Sequence, residues 1–171
     1  MQYIKGMQFY QNDKKTAITL GKFDGIHRGH ETLIERVIAH QKNDGVDSVV
    51  FAFDMAPLYE KLKKKKESLI TNEERAGRLL GRVDYLVECP FVEAVSKIEA
   101  ETFIKEILVE QFHAKYIVVG TDFHFGYQKK GDYHMLQQYS GEYGYEVEVI
   151  EKKCYEDREI SSTYIKEEVK K

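Results

Sequence analysis

The sequence predicts an α/β fold, a mostly parallel, Rossmann-like sheet of about five strands with helices on both faces. Short β-branched, apolar runs alternate with longer stretches of helical periodicity along the whole chain. The run Ser48-Val49-Val50-Phe51-Ala52-Phe53 is continuously apolar, as in a strand covered on both faces. The segment Thr16-Ala17-Ile18-Thr19-Leu20 passes straight into a helix through a turn rich in glycine. That passage is the strand-to-helix step of a parallel sheet.

Taken in order, residues Met1 to Lys15 are polar and mixed, and a short edge strand fits at Tyr3-Ile4. After the first strand, Leu33, Ile34, Val37 and Ile38 mark one face of an amphipathic helix to about Gln41. Asn43-Asp44-Gly45 stops it. Beyond the second strand, Pro57 and the lysines at 61 and 63–66 predict a loop or a mobile helix. Thr71-Asn72-Glu73-Glu74 caps a helix to about Gly81, and Val83 to Glu88 is the third strand. Residues Phe91 to Lys97 link to a helix carrying Phe103, Ile104, Ile107, Leu108 and Phe112, with Ser96 as a candidate cap. The fourth strand is Tyr116 to Val119, then a helix from Asp132 to Tyr139 and a fifth strand from Tyr145 to Ile150. A last helix runs from Ser161 to Val169.

A chain of 171 residues is one domain by length, and 42% hydrophobic with 32% charged residues is a globular composition. A net charge of −3 gives no basic field for nucleic acid, so phosphate recognition must be local. Cys89 and Cys154 are far apart and lack metal-ligand spacing; both are read as packing residues. No signal-peptide core or apolar run of membrane length appears, so the expectation is a cytoplasmic chain with no membrane partner.

The chemistry concentrates in Gly21-Lys22-Phe23-Asp24-Gly25-Ile26-His27-Arg28-Gly29-His30. A turn of this kind offers free backbone N–H groups and the positive end of a helix dipole, which suits phosphates. His27 and His30 are three apart, so both can lie on one face of the first turn and add two donors. A metal site is the competing reading, but only Asp24 is near as a third ligand. No G-x-x-x-x-G-K-S/T sequence and no G-x-G-x-x-G fingerprint is present.

These residues resemble the G-x-F-D-G-x-H-x-G-H motif of the flavin-adenylating branch of the HxGH nucleotidylyltransferases. Val119-Gly120-Thr121-Asp122-Phe123-His124-Phe125-Gly126 and Ile160-Ser161-Ser162-Thr163 match two further motifs, in the same order. The middle one points to bacterial FAD synthetases. The resemblance spans nearly the whole chain. It implies a single FMN adenylyltransferase-like domain over residues 1–171, without the riboflavin kinase domain of two-function members. The implied reaction is adenylyl transfer from ATP to FMN, giving FAD and pyrophosphate, with Mg²⁺ bridging the ATP phosphates.

The implied catalytic residues are His27, His30, Ser161, Ser162, Thr163 and Lys166. Gly21, Phe23, Asp24, Gly25, Gly29, Gly120 and Asp122 would bind the nucleotide. Phe53, Met55 and Pro57 would line the flavin pocket. Asp122 either contacts the nucleotide or caps its own turn. Phe123 and Phe125 are read as anchors of their loop, and His124 as able to line the site. His40, His113 and His134 are read as surface residues. Two positions depart from the family. Lys166 stands where an Arg is usual and keeps the charge without the bidentate fork. Phe53-Asp54-Met55-Ala56-Pro57 replaces F-x-P-H-P and loses its central His. The alternatives are a nucleotidylyltransferase with another phosphorylated acceptor, or a catalytically weak flavin- or nucleotide-binding protein.

Overall fold

The computed structural model describes residues 2–22, 28–55, 57, 77 and 81–151, and not the side chains of 28–30. Six strands form one all-parallel sheet: β1 (Gln2–Lys5), β2 (Thr16–Gly21), β3 (Asp47–Asp54), β4 (Tyr85–Pro90), β5 (Ala114–Gly120) and β6 (Glu146–Ile150). Their spatial order is β1-β4-β3-β2-β5-β6. About five strands were expected; the sixth is the Tyr3-Ile4 edge segment, where Tyr3 pairs with Leu86 and Ile4 with Val87 of β4. The strands already covered on both faces are the continuously apolar ones, with Ile18, Val49, Phe51, Leu86 and Ile117 all fully buried.

Helix α1 (Arg28–Asp44) packs over β2, β3 and β5 through Leu33, Ile34 and Val37. It runs one turn beyond the expected end and stops where Gly45, at φ +72°, donates its N–H to Gln41 O at 2.9 Å. The opposite face of the sheet carries the larger cluster, which includes Tyr10, Phe51, Phe103, Ile104, Leu108 and Phe112. Tyr10 stacks on Phe112 with ring centres 4.3 Å apart.

A short turn, α2 (Glu93–Ser96), follows β4. Next comes α3 (Ala100–Thr102), which runs on into a π-type helix over Phe103–Gln111. The apolar spacing was read as an ordinary helix. The wider winding keeps Phe103, Ile104, Ile107 and Leu108 buried and ends with Phe112 N–H on Ile107 O at 2.9 Å. Ser96 is not the cap of this helix. Its hydroxyl donates to Glu93 O at 2.7 Å, and Glu99 occupies the cap position.

Helix α4 (Tyr133–Tyr143) is capped by Asp132, whose carboxylate accepts from Met135 N–H at 3.2 Å. The expected helices over 71–81 and 161–169 lie outside the described residues, apart from Gly77, which is helical.

Candidate active site

The sheet reverses its winding between β2 and β5. From β2 the chain passes through α1 to β3 on one side, while β5 and β6 extend the sheet on the other. The crevice beyond the carboxyl ends of two such strands is where ligands sit in open parallel sheets. Gly21 ends β2 and Gly120 ends β5, and these two strands are hydrogen-bonded neighbours. The two strands that precede the glycine motifs singled out in the sequence are therefore neighbours in the sheet. The first turn of α1, with Gly29 and His30 in its backbone, opens beside them. Helix α1 has 17 residues and follows β2, so its N-terminus belongs to the carboxyl end of the sheet, and a helix N-terminus carries the positive end of the dipole.

After β5 the chain turns sharply, with Phe123 N–H on Gly120 O at 3.1 Å and Thr121 N–H on Ile150 O at 3.1 Å. Asp122 is exposed on this turn. His124 is exposed too, its Nδ1 lying 3.0 Å from Asp122 O. Phe125 is only 4% exposed and packs against Phe103 at 5.6 Å, so it anchors the loop as expected. Phe123 is half-buried between Phe125 at 5.7 Å and Phe53 at 6.4 Å. The loop is then closed by mutual backbone hydrogen bonds between Phe125 and Gly131, at 3.1 and 2.8 Å.

Phe53 and Met55 sit at the end of β3 and are 8% and 7% exposed. They belong to the core cluster beneath the crevice, alongside Phe91 and Phe103. Sequence reasoning did not assign Phe91 or Phe103 to this aromatic floor. Phe103 was visible only as part of a helical apolar stripe, and Phe91 as a linker residue. Pro57 is helical and half-buried. Phe23, Asp24, Gly25, His27, Ser161, Ser162, Thr163 and Lys166 lie outside the described residues.

The histidines read as surface residues divide. His134 is exposed. His40 is not a surface residue: its side chain is 14% exposed, and it stacks on Tyr116 at 3.9 Å with 10° between the rings. Its Nε2 lies 3.3 Å from a carboxylate oxygen of Glu148. The reason is tertiary, since β5 and β6 cover that part of α1. His113 is half-buried, with a φ of 53°.

Three polar links fix α1 against the sheet. Glu31 accepts from Arg82 Nη1 at 2.7 Å. Arg36 donates to Glu148 from Nε at 3.0 Å and from Nη2 at 2.8 Å, a two-bond fork that holds this carboxyl below its ordinary range. Asp44 accepts from Tyr116 Oη at 2.8 Å and pairs with Lys115 at 2.6 Å. Cys89 is free and buried, and burial pushes its thiol up to about 12, so it is no nucleophile. Among the described residues no three His, Cys, Asp or Glu converge as a metal site, and no helix is long and apolar enough to cross a membrane.

Known proteins resemble this chain in sequence and in fold. A bifunctional riboflavin kinase/FMN adenylyltransferase of Haemophilus influenzae is 30% identical, covering 98% of this chain and 55% of that protein. The protein of the same description from Escherichia coli is 30% identical over 88% of this chain and 49% of its own length. The chain thus spans about half the length of the curated relatives it matches. Among solved structures, a protein of Streptococcus pneumoniae described as a macrolide-efflux protein superposes with a TM-score of 0.73 at 25% identity, covering 88% of this chain and 50% of that one. A pantoate-beta-alanine ligase of Francisella tularensis shares the fold at a TM-score of 0.51 and 11% identity, over 88% of this chain and 67% of its own. The FAD synthetase family model matches residues 9–164, from the strand-leading segment through the last of the three motifs, and this chain belongs to the FAD synthetase family.

Proposed function

We propose that this chain, as a single domain, transfers the adenylyl group of ATP to the phosphate of FMN, giving FAD and pyrophosphate. The observation that supports the reading is that Gly21 and Gly120 end two neighbouring parallel strands at the winding reversal, with α1 following the first of them. The relatives' description as FMN adenylyltransferases supports flavin as acceptor.

In this reading the triphosphate of ATP meets the free N–H groups and dipole of the first turn of α1. His27 and His30 donate to it, and Ser161, Ser162, Thr163 and Lys166 hold it from the other side. Gly21, Phe23, Asp24, Gly25, Gly29, Gly120 and Asp122 shape the nucleotide cleft. Phe53, Met55 and Pro57 border the acceptor, with the half-buried Phe123 beside them.

A phosphate monoester is already ionised at neutral pH, so the FMN phosphate oxygen attacks the α-phosphorus without a protein nucleophile or base. As that P–O bond forms, the bond from the α-phosphorus to the bridging oxygen breaks, and pyrophosphate leaves with the electron pair. The protein aligns the two phosphates and neutralises the growing charge. Mg²⁺ enters as part of the nucleotide substrate, liganded by its phosphates. A free, buried Cys89 fits a reducing cytoplasm.

The test is direct. Purified protein with ATP, Mg²⁺ and FMN is expected to form FAD and pyrophosphate, and not to phosphorylate riboflavin. Absence of FAD, with ATP consumed against another phosphorylated small molecule, would transfer the reading to that acceptor. The Asp54-Met55-Ala56 stretch is the feature that favours such an outcome.

A further inference from the structure

The loop after β5 leaves the sheet at Gly120, and its Phe123 reaches the end of β3, with ring centres 6.4 Å from Phe53. Because β2 lies between β5 and β3, the loop passes the carboxyl end of β2, where the first glycine motif begins. Phe123 and Phe125 pack on the aromatic cluster. The residues that alternate with them, Asp122 and His124, are exposed.

His124 Nδ1 lies 3.0 Å from Asp122 O. A carbonyl oxygen only accepts, so Nδ1 supplies the N–H of this bond. In the neutral ring Nε2 is then left as an acceptor, with its lone pair turned away from that bond. The backbone beneath the ring is held as well, by Phe123 N–H on Gly120 O and by the paired bonds between Phe125 and Gly131. A held acceptor on the rim of a crevice selects ligand groups that donate. Ionised phosphates offer oxygen acceptors, so the triphosphate of ATP gains nothing from Nε2. The adenosine half carries donors, in its exocyclic amine and its ribose hydroxyls. We propose that His124 is a specificity residue for the nucleoside half of ATP, its Nε2 accepting a hydrogen bond from the amine or a ribose hydroxyl. Adenosine then lies against the β5 loop, and the triphosphate is left to the motif that follows β2. The inference rests on the reading of this crevice as the ATP site.

Calorimetry without FMN measures binding of nucleotides with Mg²⁺ to the full chain, for the parent, His124→Phe and His124→Gln. Inosine triphosphate replaces the amine by a carbonyl, and 2′-deoxy- and 3′-deoxy-ATP each remove one hydroxyl. The parent is expected to prefer ATP about three- to tenfold over whichever analogue lacks the contacted donor, which identifies the group. His124→Phe keeps a flat ring without an acceptor. It is expected to bind ATP about three- to tenfold more weakly and to lose that preference. His124→Gln keeps a side-chain oxygen near the place of Nε2 and should retain most of both. Inorganic tripolyphosphate should bind all three proteins alike, and their melting temperatures should match, because the ring is exposed.

A parent without preference among these nucleotides, or a preference undiminished in His124→Phe, overturns the inference while leaving the nucleotide site intact. A loss in His124→Phe that extends equally to tripolyphosphate, or that appears only in FMN binding followed by flavin fluorescence, overturns it too. A parent that binds no ATP overturns both this inference and the reading on which it rests.

Discussion

Gly126 and Ala100 meet backbone to backbone: a Cβ placed on Gly126 would lie 2.6 Å from Ala100 Cα. Gly126 also has a φ of +81°, where an L side chain is strained. This contact seats the loop after β5 on the start of α3, with Tyr127 N–H on Ile98 O at 2.8 Å. Gly126→Ala is therefore expected to destabilise the protein by roughly 2 kcal/mol or more, from overpacking and backbone strain together. Urea denaturation measures it. A variant within 0.5 kcal/mol of the parent (taking that figure as about the ordinary surface value) would show that the loop can move off α3 freely.

The hairpin tip that follows stores strain of another kind. Gln128 and Lys129 are consecutive non-glycine residues at φ 58° and 57°, with Lys130 N–H on Tyr127 O at 3.3 Å. Left-handed backbone costs such residues about 1 kcal/mol each. Lys129→Gly is expected to raise stability by about 0.5–1 kcal/mol, since relief of strain exceeds the entropy that glycine adds to the unfolded chain. Thermal melting compares the two proteins, and a lower melting temperature would contradict the expectation.

Glu148 gives a prediction in pH. The Arg36 fork, and then His40, hold its carboxyl below the ordinary value of 4.5. A depressed carboxyl contributes stability that is fully present above its unfolded value and lost as pH falls through its folded one. Glu148→Gln removes that contribution. The gap in stability between parent and variant should be constant near neutral pH and narrow below about pH 4.5. The pair is partly exposed, so the gap itself should be modest, at most about 1 kcal/mol. Urea midpoints at several pH values test the sign; a gap that widens on acidification would contradict it.

His27 and His30 are assigned to charge that grows in the transition state. Each His→Ala change should lower turnover more than it weakens ATP binding. Loss of one such donor is typically worth ~3 kcal/mol, or about a hundredfold in rate. Steady-state kinetics with ATP and FMN separate the two effects, and a double variant turning over at the parental rate would show the assignment to be wrong.

Lys166 is expected to act on the phosphates as a point charge. Lys166→Ala should raise the ATP Michaelis constant, while Lys166→Arg should match or improve on the parent by restoring a bidentate fork. Identical constants for all three proteins would place Lys166 on a solvated helix face.

Local chemistry alone determined the alternation of strands and helices and the glycine stop at Gly45. Each follows from residues within one or two helical turns of each other, where periodicity and backbone freedom act directly. Strand order was not legible that way. Nothing local to Tyr3-Ile4 says that it pairs with β4 rather than with β2. That choice is made by Leu86 and Val87, more than eighty residues away. His40 read as exposed because its burial is imposed by Tyr116 and Glu148. The aromatic floor of Phe53, Phe91, Phe103 and Phe123 likewise exists only once β3, β4, α3 and the β5 loop converge. Arg82, fifty-one residues from Glu31, pairs with it across space, a contact that no local pattern announces. Packing decides these features because the groups that satisfy one another are close in space and distant along the chain.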